Sequence, residues 1–348
     1  MVIKMTKKTV VLGMSGGVDS SVAAIKLKED GYNVIGATML LLDDDNTKEE
    51  INDAKKVCEK LNIQHHIFDL REKFKKEIIT NFIKSYEDAK TPNPCVLCNK
   101  LFKFGYFYEE AKKLNADYIA TGHYAKIINN KLVMSDVLEK DQSYFLSQIN
   151  KDLLSKIIFP LNKFKSKDEI RSIAEKYNLE TSKKKDSEEI CFITNNNYKA
   201  YLQENNIKSK PGNIILYNTN EVLGTHNGIY NYTIGQRKGL NISYKEPLYV
   251  ISLDKKNNNV IIGTNDDLYK DKLTASNINY LVEKDEFKLP LYAKIRSRGN
   301  LEEIDNIKEE DNNIIVTFKN KIRAITPGQY IVFYNENKVC LGGATIEK

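Results

Sequence analysis

Residues 10–28 read VVLGMSGGVDSSVAAIKLK, and no other stretch restricts the fold as much. An apolar run suited to a strand meets a loop with two adjacent glycines, then an alternation suited to a helix. A strand, a Gly-rich turn and a helix N-terminus in that order make an anion site. Backbone N–H groups at the turn point outward, and the helix dipole favours negative charge. Gly16 and Gly17 let a phosphate approach the backbone where a Cβ would clash. Ser15, Ser20 and Ser21 add hydroxyl donors. Asp19 is the odd member, because a carboxylate repels phosphate. It suits a helix N-cap or, with a divalent cation such as Mg²⁺ present, a metal contact.

The common nucleotide loop carries a Lys after its last Gly. Here Val18 and Asp19 follow Gly17 instead. The string SGGVDS resembles the PP-loop of ATP pyrophosphatases, which cleave ATP to AMP and pyrophosphate and use the AMP to activate a carbonyl or carboxylate oxygen.

Short strand-like runs at 9–14, 33–39, 65–70 and 117–121 alternate with helical patterns at 20–29, 48–61, 73–85 and 101–114. Strands separated by helices predict a parallel sheet with right-handed crossovers. The Gly-rich loop then places its ligand at the carboxyl edge of that sheet. Helical character continues through 149–177. After about residue 208 the pattern changes to β-like runs at 213–217, 248–253, 259–263, 291–295, 314–318, 329–334 and 338–342, separated by turn formers. The expected architecture is an α/β domain over 1–205, a small β-rich domain over 206–270, and a β-rich domain over 271–348. No internal repeat is visible.

A chain of 348 residues, 41% of them hydrophobic, has room for several cores. The longest early apolar stretch, 37–42, is far too short to cross a bilayer, and 10–14 is too brief for a signal-peptide core. These features read as a cytoplasmic protein without membrane contact. A net charge of +6 permits an acidic partner. Basic groups suited to phosphate lie at 183–185, Arg237 and Lys238, Lys294, Arg296 and Arg298, and Lys321 and Arg323. Taken singly, each such run is a solvated face.

Five cysteines in a chain this long are not a disulfide framework. Cys95 and Cys98, in TPNPCVLCNK, are spaced so that both sulfurs face one point, for a disulfide, a metal or a nucleophile. A second such pair is absent, which argues against a complete structural zinc site. Cys58 and Cys340 read as buried small hydrophobes. Taken alone, so does Cys191. His123 follows Thr121 and Gly122 at a strand end, where a phosphate or base contact and a structural hydrogen bond are both open.

Taken together, the strings resemble one family, the bacterial tRNA-specific 2-thiouridylases (MnmA). They are GMSGGVDSS at 13–21, TPNPCVLCNK at 91–100, DYIATGHYA at 117–125, KDQSYFLSQI at 140–149 and KKDSEEICFI at 184–193. YTIGQRKGL at 232–240, AKIRSRG at 293–299, PGQYIVFY at 327–334 and CLGGATI at 340–346 complete the set. The resemblance implies an adenine nucleotide alpha hydrolase-like first domain and a closing β-barrel. It implies an enzyme that replaces the 2-oxygen of a wobble uridine in tRNA with sulfur, using ATP, Mg²⁺ and sulfur from a relay protein or cysteine desulfurase. By carry-over, Gly13, Met14, Ser15, Gly16, Gly17, Val18, Asp19 and Ser20 hold ATP, with Met39 near the adenine and Gly122 close to the nucleotide. Asn93, Pro94 and Cys95 match the segment that meets the target base. His123, Lys140, Asp141, Gln142, Arg296, Ser297 and Gln329 match tRNA contacts. Cys98 matches the nucleophile and Cys191 the persulfide carrier, with a Cys98–Cys191 disulfide formed in one version of the cycle.

One departure stands out. Many relatives carry Asp where this chain has Cys95. Cys95, Cys98 and Cys191 then make a three-thiolate set that would suit a 4Fe–4S cluster with one open iron. The sequence leaves the persulfide and cluster routes open. Two rival readings share the loop without needing paired thiols: another adenylating enzyme, such as an amidotransferase-type or tRNA-lysidine synthetase, and a non-enzymatic RNA-binding protein.

Overall fold

Val10, Val11 and Leu12 have no solvent exposure, and they form the middle of strand β1 (Thr9–Gly13). The computed structural model describes residues 7–184, 190–193 and 197–348. Residues 1–6, 185–189 and 194–196, Lys185 of the basic run among them, lie outside the described residues. Two compact units are present. The first covers Met1–Glu77, Cys95–Glu188 and Lys338–Cys340; the second covers Ile78–Pro94, Glu189–Asn337 and Leu341–Lys348.

The first unit is built on a parallel sheet. β1 lies between β2 (Asn33–Leu40) and β4 (Tyr118–Ala120), with Leu12 opposite Gly36 on one side and Ala120 on the other. β3 (Gln64–Asp69) extends it beyond β2, and β7 (Ile157–Ile158) beyond β4, giving the order β3-β2-β1-β4-β7. A hairpin of β5 (Lys126–Ile128) and β6 (Lys131–Val133) stands apart. Strand order reverses between β1 and β4, and the loops leaving their carboxyl ends flank that crevice. Open α/β sheets bind ligands there.

Helix α1 (Val18–Glu29) presents Val22, Ala23, Ala24, Ile25 and Leu27 to this sheet, all essentially inaccessible. Its alanines allow close approach, and each large apolar side chain contributes about 1.5–3 kcal/mol by burial. α2 (Asp45–Lys60) adds Ala54, Val57 and Cys58 to the same core, and α7 (Lys167–Lys176) adds Ile170 and Ala174. Cys58 therefore behaves as the small hydrophobe expected, with its thiol pushed up to about 12 by burial.

The stretch after β3 is less regular than its periodicity predicts. α3 (Arg71–Phe74) passes through a π turn, Lys75–Ile79, into α4 (Thr80–Glu87). The next helical stretch begins not near 101 but at Pro94. α5 (Pro94–Cys98) runs into a second π turn, Asn99–Tyr106, and then α6 (Phe107–Lys113). Proline with its fixed φ is at home in a first helical turn, so the cysteine pair sits on a helix. π turns cluster at functional sites.

In the second unit, Phe82 and Tyr86 of α4 pack on Phe192 and on Tyr201 and Tyr198 of α8 (Tyr198–Glu204). A four-stranded sheet follows, formed by β8 (Gly212–Leu216), β9 (Val222–His226), β10 (Tyr249–Asp254) and β11 (Asn259–Gly263) in the order β10-β11-β8-β9. Last comes a closed barrel of β12 (Tyr269–Tyr280), β13 (Tyr292–Lys294), β14 (Glu302–Glu310), β15 (Asn313–Arg323), β16 (Tyr330–Tyr334) and β17 (Cys340–Ile346). The fold class is the expected one. β9, β12 and β14 have no counterpart among the β-like runs. The run expected at 338–342 starts later, because Lys338 takes a left-handed turn conformation at φ 59°. No helix among the described residues is long and apolar enough to cross a membrane.

Barrel closure rests on a close backbone approach. Gly342 has φ +134°, and a Cβ there would lie 2.0 Å from the Asn279 carbonyl oxygen. Gly342→Ala is expected to destabilise the protein by about 2–4 kcal/mol through strain and overpacking. Thermal unfolding followed by circular dichroism measures this, and an unchanged midpoint would contradict the contact.

Candidate active site

The loop after β1 turns through Gly16 at φ +68°. Its glycine is required for a reason the sequence did not show. A Cβ there would lie 2.5 Å from the Glu50 carbonyl oxygen of α2, so helix packing also demands glycine. Gly17 is the N-cap of α1 and supplies no side-chain cap. The leading N–H groups of a buried twelve-residue helix are thus left for a ligand. Ser20 and Ser21 both turn their hydroxyls back to the Gly17 carbonyl, at 3.1 and 2.8 Å, and Ser20 Oγ accepts from Ser15 N–H at 3.2 Å. These bonds set the loop's shape. Met14 and Val18 point into the core, so only their backbones face the loop. Met39 lies half-buried near the carboxyl end of β2, opposite Phe68.

Asp19 is not the N-cap. It stands in the first turn of α1, and its carboxylate is shared by two donors. Lys167 Nζ reaches both oxygens at 2.8 Å, and the Tyr124 hydroxyl donates to Oδ1 at 2.8 Å. Among the described residues, no group of three or more His, Cys, Asp or Glu side chains is arranged to hold a metal ion. A lone carboxylate already paired with an ammonium does not fit a protein-held Mg²⁺. Lys167 escaped the sequence reading. The available signal was SKDEI at 166–170. There Ser166 caps α7 by accepting from Glu169 N–H at 3.2 Å, and a lysine in the next position opposes the helix dipole. A cation placed so needs an anionic partner.

Gly122 carries the β4 loop against α1: a Cβ there would lie 3.2 Å from that of Asp19. His123 is buried between Phe104 and Phe159, with Nδ1 2.7 Å from Thr121 Oγ1. Burial holds its imidazole well below the usual histidine range, and Lys103 acts in the same direction. A neutral, packed ring offers a phosphate no charge.

Gln142 clamps Tyr124 from both sides. Its amide oxygen accepts from Tyr124 N–H at 2.9 Å, and its own N–H donates to the Tyr124 carbonyl at 2.9 Å. Asp141 is buried and accepts from Ser135 N–H at 2.8 Å and Ser143 Oγ at 2.7 Å, so it braces the segment. Lys140 lies 5.5 Å above the Tyr124 ring.

Cys95 and Cys98 lie one turn apart on α5, Cys95 exposed and Cys98 buried. Burial pushes Cys98 up to about 11; Lys103 opposes the shift, and Cys95 adds to it slightly. Crowding also raises the Cys95 thiol, again against Lys103. Cys95 and Cys98 belong to the first unit and Cys191 to the second.

Cys191 is exposed rather than the buried hydrophobe its sequence context allowed, and Phe192 beside it is buried against Phe82. Asn93 is half-buried and Pro94 buried at the head of α5. Gln329 donates to the Thr91 carbonyl at 2.9 Å, and Pro327 accepts from Thr91 N–H at 2.9 Å. A barrel turn thus holds the approach to α5. Arg296 donates through one nitrogen to Thr326 Oγ1 at 2.6 Å and to the Ile234 carbonyl at 3.3 Å, joining the barrel to the four-stranded sheet. Ser297 beside it is half-buried.

Three family descriptions match the chain in succession. They are tRNA methyl transferase HUP domain over 8–195, tRNA methyl transferase PRC-barrel domain over 199–264, and aminomethyltransferase beta-barrel domain over 270–346. The chain is 46% identical over 342 residues to tRNA-specific 2-thiouridylase MnmA 1 of Fusobacterium nucleatum, covering 97% of this chain and 92% of that one. It is 42% identical over 362 residues to tRNA-specific 2-thiouridylase MnmA of Clostridium botulinum strain Eklund 17B, covering 99% of each. Among solved structures, a 4-thiouridine synthetase–RNA complex with bound ATP is similar over 57% of this chain and 50% of that chain. The identity there is 19% and the TM-score 0.36, too low to carry an argument.

The thiol states make a direct prediction. Iodoacetamide labelling read by peptide mass spectrometry should mark Cys95 before Cys98 at neutral pH. The Cys98 rate should rise about tenfold per pH unit between roughly 7 and 9, following its thiolate fraction. Lys103→Met should slow it further. A Cys98 rate that levels off near pH 8 would contradict the burial.

Proposed function

The chain belongs to the tRNA-specific 2-thiouridylase family, and we propose that it replaces the 2-oxygen of a tRNA wobble uridine with sulfur at the expense of ATP. The observation that carries this reading is the pairing, within one unit, of an uncapped helix N-terminus at the strand-order reversal with a two-thiol helical turn. Two of the family descriptions speak of methyl transfer. Methyl transfer gives neither Cys98 nor Cys191 a task, and the relatives' own names speak of thiolation.

An unactivated uracil oxygen is a very poor leaving group. In the proposed cycle it attacks the α-phosphorus of ATP, and the bond to the pyrophosphate oxygen breaks. Gly13 to Ser20 and Gly122 hold the nucleotide as substrate, with Met39 beside the adenine. Lys167 supplies the ammonium that the loop lacks. A magnesium ion would enter with the triphosphate, since Asp19 is already engaged.

Cys191, exposed, receives sulfur as a persulfide from a relay protein or cysteine desulfurase. Cys98 then attacks the inner sulfur, forming a Cys98–Cys191 disulfide and releasing hydrosulfide. Hydrosulfide adds at the activated ring carbon, and AMP leaves with the original oxygen. Cellular thiols reduce the disulfide, which suits a cytoplasmic setting. Asn93, Pro94 and Cys95 meet the extruded base. Lys140 and Ser297 face the tRNA, while Asp141, Gln142, His123, Arg296 and Gln329 hold the backbone that presents them. The portion 1–205 performs the chemistry, 206–270 connects, and the barrel over 271–348 contacts tRNA.

Three variants test this. Cys191→Ser should abolish thiolation, seen as loss of the retarded band on a gel that binds thiolated tRNA, with ATP affinity unchanged. Asp19→Ala should slow pyrophosphate release about tenfold or more, the scale of a lost charged hydrogen bond; normal release would remove its nucleotide role. Cys95→Asp should keep activity, because no step needs a third thiolate.

A further inference from the structure

The segment 140–142 and the phosphate loop are joined by one side chain. Gln142 grips the backbone of Tyr124 through two hydrogen bonds of 2.9 Å. Tyr124 then reaches back with its hydroxyl to Asp19 Oδ1 at 2.8 Å. The phenol is nearly buried, so this is a charge-assisted bond partly shielded from water. Asp141 stiffens the near end by fixing Ser135 and Ser143. Gly122, two residues before Tyr124, stiffens the far end by packing on Asp19. A displacement at 140–142 therefore reaches the first turn of α1 through short, directional bonds.

We infer that Tyr124 is a positioning residue that couples occupancy of the 140–142 segment to the phosphate loop, so that ATP is cleaved efficiently only when tRNA is seated. The inference rests on the reading above that this segment faces tRNA. Its chemical logic is economy. Adenylation without an acceptor oxygen would spend ATP on water, and the carboxylate that Tyr124 holds is the one that holds the Lys167 ammonium. Tyr124 thus links Asp19 to Gln142 directly.

The test uses the full chain, ATP and an unmodified tRNA transcript with a wobble uridine. Pyrophosphate release is measured with and without the transcript, tRNA affinity by filter binding, and product by the retarding gel. Tyr124→Phe keeps the ring and removes only the hydroxyl. It should lower the stimulation by tRNA about tenfold or more, as expected for a hydrogen bond to a charged group. Filter-binding affinity should be unchanged, and the loss should fall in kcat rather than in KM for tRNA. Gln142→Met removes the side-chain half of the clamp and leaves the backbone half, so it should lower stimulation by a smaller factor, and it serves if Tyr124→Phe does not fold. Full stimulation in both variants overturns the coupling. So does a wild type that makes thiolated tRNA yet releases pyrophosphate equally with and without it. A wild type that makes no thiolated tRNA overturns the functional reading instead.

Discussion

A negative charge at the head of a helix built to receive anions is the constraint around which the first unit is organised. Asp19 is favoured there by the dipole of α1, yet it would repel the ligand that the same dipole attracts. Lys167 resolves the conflict by donating to both carboxylate oxygens at 2.8 Å, and Tyr124 fixes the geometry. The ammonium comes from α7, which packs on α1 through Ile170 and Ala174. The ion pair thus depends on the same apolar contacts that seat α1 on the sheet. A change in α7 packing would be felt at the phosphate loop before it was felt in overall stability.

The thiols illustrate how burial sorts identical side chains. Cys58 and Cys340 are sealed in cores. Cys98 is buried at the surface end of a short helix and kept protonated, with Lys103 pulling the other way. Cys191 is exposed. A protonated Cys98 is a poor nucleophile, so a change in its surroundings that gives Lys103 more influence is what would switch it on.

Much of the α/β fold was legible. Val10 to Leu12 and the valine and isoleucine of β2 are strand formers on a buried parallel sheet, and the Gly-rich loop marked where the ligand edge lies. The barrel was harder to read. EEIDNIKEE of β14 carries the composition of an exposed helix, and its strand state comes from pairing with β13 and β15. The start of β12 has the composition of a polar linker because its exposed residues are lysine and aspartate. At the site, the glycines and cysteines were visible as residue types, but the reasons were not. Gly16 answers to a carbonyl in α2, and Lys167 enters from 148 positions away. Contacts of that separation leave no local periodicity.

The turn that holds the approach to α5 has a consequence for biosynthesis. Gln329 binds the Thr91 carbonyl across 238 positions, and Lys90 pairs with Glu347 at the very end of the barrel. Residues 78–94 belong to a unit whose other members are all made later. On a ribosome adding about 5–20 residues per second, they wait tens of seconds for their partners. Residues 78–94 are thus anchored only once the last strand has left the ribosome. A nascent chain that stops short of the barrel leaves the Thr91 carbonyl and the Lys90 ammonium without these partners.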